Sequence, residues 1–196
     1  LVVAGTRPEI IKLAPVVMGA SEANITPIVC LTGQHREMAA QAMQMFGLHA
    51  QYDLEVMSPQ QTLPQIMERV FARFPPVLAA VSPDAVMVQG DTTTAAAAAM
   101  CAFQSGVPVI HLEAGLRSHD LAAPFPEEWN RRAIASCAAL HLAPTDLAAR
   151  NLLRQGVAAP AAPTKSLRVS ESMPTILPPS WCVSLHPFRR LRHLNE

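Results

Sequence analysis

Residues 88–131 read VQGDTTTAAAAAMCAFQSGVPVIHLEAGLRSHDLAAPFPEEWNR and contain a strand, a turn, a helix and a second strand in close succession. A strand is predicted over residues 85–89 and leads into a Gly-Asp turn. An alanine-rich helix is predicted over 92–104, and another strand over 107–112. Because a helix between two strands is the usual crossover of a parallel sheet, this stretch predicts a β-α-β unit.

The same alternation extends to both sides of this unit. Apolar runs predict further strands over residues 1–4, 28–31 and 140–143. Helical periodicity and helix-start signals predict helices beginning near Pro8 and over residues 35–46, 61–74, 76–81, 126–138 and 145–155. Pro15 is expected to kink or shorten the first helix. We therefore predict an α/β fold with a doubly wound parallel sheet over residues 1–157.

Composition excludes several classes of protein. Half of the residues are hydrophobic and 15% are charged, which favours a globular chain over a disordered one. The net charge is zero, so nothing in it indicates a nucleic-acid partner. The four cysteines have neither zinc-ligand nor disulfide-framework spacing. The longest apolar run, residues 95–103, is far below the roughly 20 residues that cross a bilayer. With no leader visible, we expect a reduced, cytoplasmic setting and no membrane partner.

Residues 158–196 differ in character from the rest of the chain. They hold 6 of the 18 prolines and show no sustained period of either strand or helix. We interpret them as an irregular, poorly packed tail rich in proline and arginine. Two alternatives are an isolated strand over 180–185 and a basic interaction arm built from Arg189, Arg190, Arg192 and His193.

Three acidic residues follow predicted strands or begin a predicted helix: Asp91, Glu113 and Glu127. Open α/β sheets bind their ligands at the carboxyl ends of the strands, where such positions meet. Converging carboxylates raise the pKa of at least one of them, as proton transfer requires. The alternatives are purely structural, since Asp91 is also a good helix N-cap and Glu127 a good first-turn acid. We favour acid/base chemistry on a bound small molecule.

Basic residues occupy the other turns of this predicted edge. Gly5 permits a tight turn, the following helix start offers free N–H groups, and Arg7 and Lys12 add positive charge, which together suit a phosphate. A solvated role for the two cations is the alternative. Arg117 and Arg131 are expected to pair with the acids or with a substrate phosphate. No metal site is predicted.

Five motifs resemble the non-hydrolysing UDP-N-acetylglucosamine 2-epimerases, in unbroken order over residues 1–157. They are GTRPEIIKLAPV (5–16), TGQHREM (32–38), PDAVMVQGDTTT (83–94), HLEAGLRSHDLAAPFPEEWNRR (111–132) and LAPTDLAARNLLRQGV (142–157). The resemblance implies a Rossmann-like first half of a GT-B type two-domain fold. It also implies reversible conversion of UDP-N-acetylglucosamine to UDP-N-acetylmannosamine, with no nicotinamide or other cofactor, in members that are usually homodimers.

The resemblance also implies roles for individual residues. Asp91, Glu113 and Glu127 correspond to the acid/base carboxylates of the family. Arg7, Lys12 and Arg131 correspond to substrate-binding residues. Gln34 and His35 fall where some bacterial members bind a second, activating UDP-N-acetylglucosamine; by the residues alone, His35 is equally well a capping or surface histidine.

The second domain of the family is not recognisable in residues 158–196. We expect this tail to be an out-of-frame reading of the family's continuation, which translation of the DNA in the other two frames would test. The expected function is therefore that of an epimerase first domain, inactive alone. The alternatives are a non-catalytic remnant and a sugar-nucleotide-binding half that needs a partner chain.

Overall fold

The computed structural model describes residues 1–20, 23–34, 36–157 and 182–185. The strands are β1 (Val2–Ala4), β2 (Val29–Leu31), β3 (Tyr52–Asp53), β4 (Val86–Gln89), β5 (Val109–Leu112), β6 (Ala138–Ala143) and β7 (Cys182–Leu185). The helices are α1 (Arg7–Ala20), α2 (Arg36–Met45), α3 (Leu63–Val81), α4 (Thr93–Gln104), α5 (Glu127–Cys137) and α6 (Asp146–Arg154).

The strands form one sheet in the order β3-β2-β1-β4-β5-β6-β7. Strands β1 to β6 pair in parallel, which confirms the predicted doubly wound α/β fold. The chain runs outward from β1 in one direction and then returns to add β4 on the other side of β1. Ligands of such sheets bind beside this switch point, at the carboxyl ends of the central strands. The turns after β1, β4 and β5 therefore define the place to look for a site.

Apolar side chains cover both faces of the sheet. Alternation along β1 directs Val3 to the core formed with α3, α4 and α5, and Val2 and Ala4 to the core formed with α1 and α2. Helix α4 lies between α3, α5 and the sheet, and its five consecutive alanines at residues 95–99 are all buried. Small side chains there let the surrounding elements approach α4 closely, which places the turn before α4 firmly at the sheet edge.

Two helices that contain prolines differ from the prediction. Helix α1 continues through Pro15 to Ala20, so the helix is not shortened. Helix α3 is one helix of 19 residues through Pro75 and Pro76, where two separate helices were predicted. An interior proline costs about 3 kcal/mol because it removes a hydrogen bond and clashes with the preceding turn. Burying an apolar side chain of the kind that α3 packs against α4 contributes about 1.5–3 kcal/mol, so several of them offset that cost. These side chains are Ile66, Val70, Phe74 and Leu78.

The short strands also differ from the sequence-based expectation. Strand β3 has only two residues and was not predicted. Strand β7 pairs antiparallel with β6, so the strand considered for residues 180–185 is present and is not isolated. The rest of the predicted tail, residues 158–181 and 186–196, lies outside the described residues, as does His35. Within the part of the chain that is described, no helix is both long and apolar enough to span a membrane.

Candidate active site

The turns after β1, β4 and β5 bring the predicted acids and bases to one edge of the sheet. Gly90 follows β4 with φ +72°, a left-handed conformation that glycine adopts at little cost. Glu113 follows β5 with φ +68°, which is uncommon for a residue that has a side chain. Backbone strain of this kind is concentrated at functional sites, so it supports a role for Glu113 beyond structure.

The carboxylate of Glu113 is bound by two side chains, one from helix α1 and one from strand β4. Lys12 Nζ, from α1, lies 2.7 Å from both carboxylate oxygens of Glu113. Gln89, the last residue of β4, donates from its side-chain amide to Glu113 Oε2. The lysine side chain is about half exposed, so this ion pair contributes little to the stability of the fold. Its effect is to fix the orientation of the Glu113 carboxylate.

Asp91 lies in the β4–α4 turn and is bound by α5. Arg131 Nη1 donates to Asp91 Oδ2 over 2.6 Å, and Asn130 Nδ2 donates to the backbone oxygen of Asp91 over 2.8 Å. Burial raises the pKa of Asp91 above its usual value, and Glu127 and Glu113 raise it further, whereas Arg131 opposes them. Asp91 is therefore the carboxylate here that is best suited to hold a proton and give it up.

Glu127 is the third carboxylate of the group and begins α5. Its Oε2 atom is buried and has no hydrogen-bond partner within the described part of the chain. Its charge is close enough to Asp91 to raise the pKa of that residue. Asp91, Glu113 and Glu127, predicted from two motifs, thus lie in one electrostatically connected cluster, which we call the carboxylate cluster.

The remaining predicted site residues lie around the carboxylate cluster. The Arg7 side chain is exposed at the start of α1 and makes no hydrogen bond or ion pair with any residue that the structure describes. Gln34 Oε1 accepts a hydrogen bond from Thr94 Oγ1 at 3.0 Å, so it lies at the start of α4. Arg117 donates to Gln155 rather than to the cluster. Across the described ranges, no group of acids, histidines or cysteines is arranged to hold a metal ion.

The first turn differs from the expectation of free N–H groups. The backbone N–H groups of Gly5 and Thr6 both donate to Glu9 Oε2, at 2.5 and 2.8 Å. Glu9 is 4% exposed and its role was missed in the sequence. A signal was present, because Thr6 and Glu9 have the spacing of a capping box, in which a glutamate bonds back to the start of its own helix.

Glu128 was also missed as a partner of the predicted site. Its carboxylate is fully buried and accepts from Ser118 N at 3.0 Å, Arg131 Nε at 3.2 Å and Arg132 Nε at 2.9 Å. The i,i+4 spacing of Glu128 and Arg132 was a visible signal in the sequence. Glu128 fixes Arg131, which in turn reaches Asp91.

His111 supports the Gly90 turn from beneath. It is fully buried, and its Nε2 lies 2.7 Å from the backbone oxygen of Gly90. Because that oxygen can only accept, Nε2 must carry the proton of the bond. Burial lowers the pKa of His111 to about 3, so this residue is neutral in the folded protein at ordinary pH.

We expect His111 to make the fold sensitive to acid. Below pH 6.5 the unfolded chain protonates this histidine while the folded chain does not, until the pH reaches about 3. Stability is therefore lost as the pH falls through that window, by about 2 kcal/mol between pH 7 and pH 5. Urea unfolding at both pH values measures this loss.

The variant His111→Gln should flatten this pH dependence, because glutamine keeps a donor and does not titrate in this range. His49→Gln, at an exposed position, is the matched control and should leave the difference between pH 7 and pH 5 unchanged. An unaltered pH dependence in His111→Gln would refute the assignment.

Comparison with known proteins places this chain in a family. The family profile of UDP-N-acetylglucosamine 2-epimerase matches residues 19–162. The UDP-N-acetylglucosamine 2-epimerase of Neisseria meningitidis serogroup A is 46% identical over 158 residues, which is 80% of this chain and 42% of that protein. The enzyme of that name from Escherichia coli K12 is 46% identical over 159 residues, 81% of this chain and 42% of the relative.

Solved structures agree with the sequence relatives. The N. meningitidis epimerase bound to UDP-GlcNAc matches with a TM-score of 0.77 at 45% identity, over 80% of this chain and 43% of that one. The Methanocaldococcus jannaschii epimerase in complex with UDP-GlcNAc and UDP matches with a TM-score of 0.75 at 36% identity, over 80% and 43%. The chain thus spans less than half the length of the relatives it matches. It belongs to the UDP-N-acetylglucosamine 2-epimerase family and corresponds to the N-terminal domain of its members.

Proposed function

We propose that this chain is the acid/base half of an enzyme that interconverts UDP-N-acetylglucosamine and UDP-N-acetylmannosamine. The observation that carries the proposal is the carboxylate cluster, in which burial and the charges of two neighbouring acids raise the pKa of Asp91. Proton transfer at a carbon atom needs such groups held close together with different proton affinities.

The reaction we propose is an elimination followed by a re-addition. A carboxylate takes the proton from C2 while the bond between C1 and the UDP oxygen breaks, and a C1–C2 double bond forms. A proton then returns to C2 from the opposite face as the UDP oxygen bonds again to C1. The net change is inversion at C2, and no oxidant or reductant is consumed.

The two faces of the sugar require two different proton-transfer groups. We assign Glu113 to one face, because Lys12 and Gln89 hold its carboxylate in a fixed orientation. We assign Asp91 to the other, because its raised pKa allows it to carry a proton to the substrate. In the reverse direction the two residues exchange their roles as acid and base. Glu127 supports Asp91 by raising its pKa.

Three basic residues are proposed to bind the substrate. The guanidinium of Arg7 is exposed at the rim and free of partners among the described residues, which suits the diphosphate. Lys12 and Arg131 are already paired with carboxylates, so we propose that they act nearer the sugar and balance the charge of the cluster. Gln34 and His35 remain a proposed contact for a second sugar nucleotide.

The length of the chain favours a second candidate function. Because it spans about 43% of the solved relatives, it is also a candidate for a sugar-nucleotide-binding half that is inactive without a partner chain. The homodimer stays a prediction, which light scattering of the purified chain would test. We also propose a reducing, cytoplasmic location, supported by the free thiols of Cys30, Cys101 and Cys137.

A chimaeric enzyme tests the proposed function. Residues 1–157 are joined to the remaining part of the N. meningitidis enzyme, and both the chimaera and the 196-residue chain are assayed with UDP-N-acetylglucosamine in D₂O. We expect the chimaera to form UDP-N-acetylmannosamine with deuterium at C2, and the 196-residue chain to show no turnover. A folded chimaera that binds the nucleotide sugar but neither exchanges C2 hydrogen nor forms product would rule out the acid/base assignment.

A further inference from the structure

Glu9 is a buried carboxylate beside the carboxylate cluster that the proposed reaction does not use. Its Oε2 accepts from the N–H groups of Gly5 and Thr6, and its Oε1 accepts from Thr92 Oγ1 at 2.7 Å. Three donors from two different turns thus converge on one side chain that is 4% exposed. We call the N–H groups of Gly5 and Thr6 the amide nest.

An amide nest at the start of the first helix is an anion site in many doubly wound folds. Successive backbone N–H groups and the positive end of the helix attract a phosphate there. In this chain the anion comes from within, since Glu9 follows the nest by one helical turn and bends back onto it. Burial raises the pKa of Glu9, while the bonds from Thr92, Gly5 and Thr6 act in the opposite direction.

The nest is also tightly surrounded. A Cβ atom at residue 5 would overlap Thr32 Oγ1 and lie 3.1 Å from Thr94 Oγ1. The backbone of the first turn is therefore packed directly against the side chains of Thr32, which follows β2, and Thr94, which lies in α4. A side chain at residue 5 would force Thr32 to move, and both amides of the nest already donate to the Glu9 carboxylate.

Glu9 joins the two turns that carry the proposed substrate and acid/base residues. Thr92 is the N-cap of α4, where its hydroxyl oxygen accepts from Ala95 N at 3.1 Å, and it directly follows Asp91. Arg7 directly follows Thr6 in the other turn. A carboxylate that bonds to both turns sets the distance between the Arg7 and Asp91 backbones.

We propose that Glu9 is a positioning residue, an internal anion that fills the amide nest, joins the first turn to the Asp91 turn and excludes phosphate from the nest. The claim that Glu9 positions Arg7 and Asp91 for catalysis rests on the proposed function. The claim that Glu9 fills the amide nest does not. It follows that a sugar nucleotide places its diphosphate elsewhere than on the Gly5 and Thr6 amides.

The test uses the full 196-residue chain, labelled with ¹⁵N for NMR, and inorganic phosphate as the probe. In the parent, the amide signals of Gly5 and Thr6 should not respond to phosphate. In Glu9→Ala the nest is vacated, and the same two signals should shift in a saturable manner. Glu9→Gln keeps the shape without the charge and should shift the signals of residues 92–95 as well as those of the first turn.

Thermal unfolding supplies a second readout. We expect Glu9→Ala to lower the Tm by roughly 5–10 °C, because three buried donors lose their acceptor. Formate should recover about half of that loss, while chloride at the same ionic strength should not, since formate carries the carboxylate that the variant lacks and chloride does not. Glu37→Gln, which changes an exposed first-turn acid of α2, is the matched control and should alter neither readout.

Three results would overturn the proposal: a phosphate response of the Gly5 and Thr6 amides in the parent, changes in Glu9→Gln that stop short of residue 92, or equal effects of formate and chloride. None of these measurements requires turnover. A folded chimaera that binds the nucleotide sugar but is inactive would therefore reject the proposed reaction and leave the occupied nest supported. Equal effects of formate and chloride would reject the occupied nest and leave the proposed reaction unaffected.

Discussion

Replacement of Asp91 by Asn in the chimaeric enzyme is expected to lower kcat by about 10²–10⁴-fold, the usual contribution of a general acid or base. Asparagine has nearly the same shape as aspartate. In the parent, Arg131 Nη1 donates to Asp91 Oδ2 over 2.6 Å, and the side-chain oxygen of asparagine can still accept this hydrogen bond. What is lost is the ability to carry a proton. The KM should change much less than kcat, since the contacts that hold the substrate remain.

The pH profile distinguishes proton transfer from a merely structural role. In the parent, activity should depend on the protonation of Asp91, whose pKa is raised by burial and by the neighbouring acids. This dependence should disappear in Asp91→Asn. Glu113→Gln should lose kcat to a similar extent, and its exchange of C2 hydrogen in D₂O should fall in parallel.

Glu68→Gln, at an exposed position on α3, is the matched control and should keep parental kcat and KM. If Asp91→Asn kept kcat within about threefold of the parent, the roughly hundredfold or greater loss expected of an acid/base group would be missing. Asp91 would then have only a structural role in the turn before α4.

The positions of the three acids could be predicted because they depend on local pattern and topology. Each apolar run ends in a turn residue, and parallel strands bring all such ends to one edge. Asp91 and Glu113 could therefore be placed together from strands β4 and β5 alone. Glu127 could be placed there because helix starts are also visible in sequence, through acids and proline in the first turn.

Arg131 was expected to pair with one of the acids, and it pairs with Asp91. The partners of Glu113 and Glu9 could not be predicted, because they are distant in the chain. Lys12 and Glu113 are separated by 101 positions, and Glu9 and Thr92 by 83. The periodicity of the sequence predicts helices and strands, but it does not indicate which cation lies opposite which acid at the edge of the sheet. The amide nest shows the consequence: its residues suggested a phosphate site, whereas the side chain that fills it lies one helical turn further along.

The course of α3 was mispredicted for a different reason. Local rules disfavour proline inside a helix, and they were applied at Pro75 and Pro76. The helix nevertheless continues, since Phe74 and Leu78 lie on the same buried face on either side of the prolines. Packing of α3 against the rest of the fold stabilises the helix through the prolines, and the local sequence pattern does not contain this contribution to the stability of the helix.

Replacement of Glu128 by Leu is expected to destabilise the chain by about 3–5 kcal/mol, the cost of removing one partner from a buried ionic network. Glu128 is fully buried and accepts from Ser118 N, Arg131 and Arg132. Leucine fills a similar volume, so the loss reflects the unpaired donors rather than a cavity. Urea unfolding of the full chain measures it, with the m-value reporting whether the transition stays two-state.

Two further variants separate the charge from the hydrogen bonds. Glu128→Gln keeps one acceptor for Ser118 N and should lose only about half as much as Glu128→Leu, because a neutral acceptor forms weaker bonds to arginine. Glu68→Leu makes the same exchange on an exposed face of α3 and should change stability by less than about 0.5 kcal/mol. Equal stability of Glu128→Leu and the parent would mean that Arg131 is held by Asp91 alone. Arg131 would then need no second carboxylate to keep its place in the carboxylate cluster.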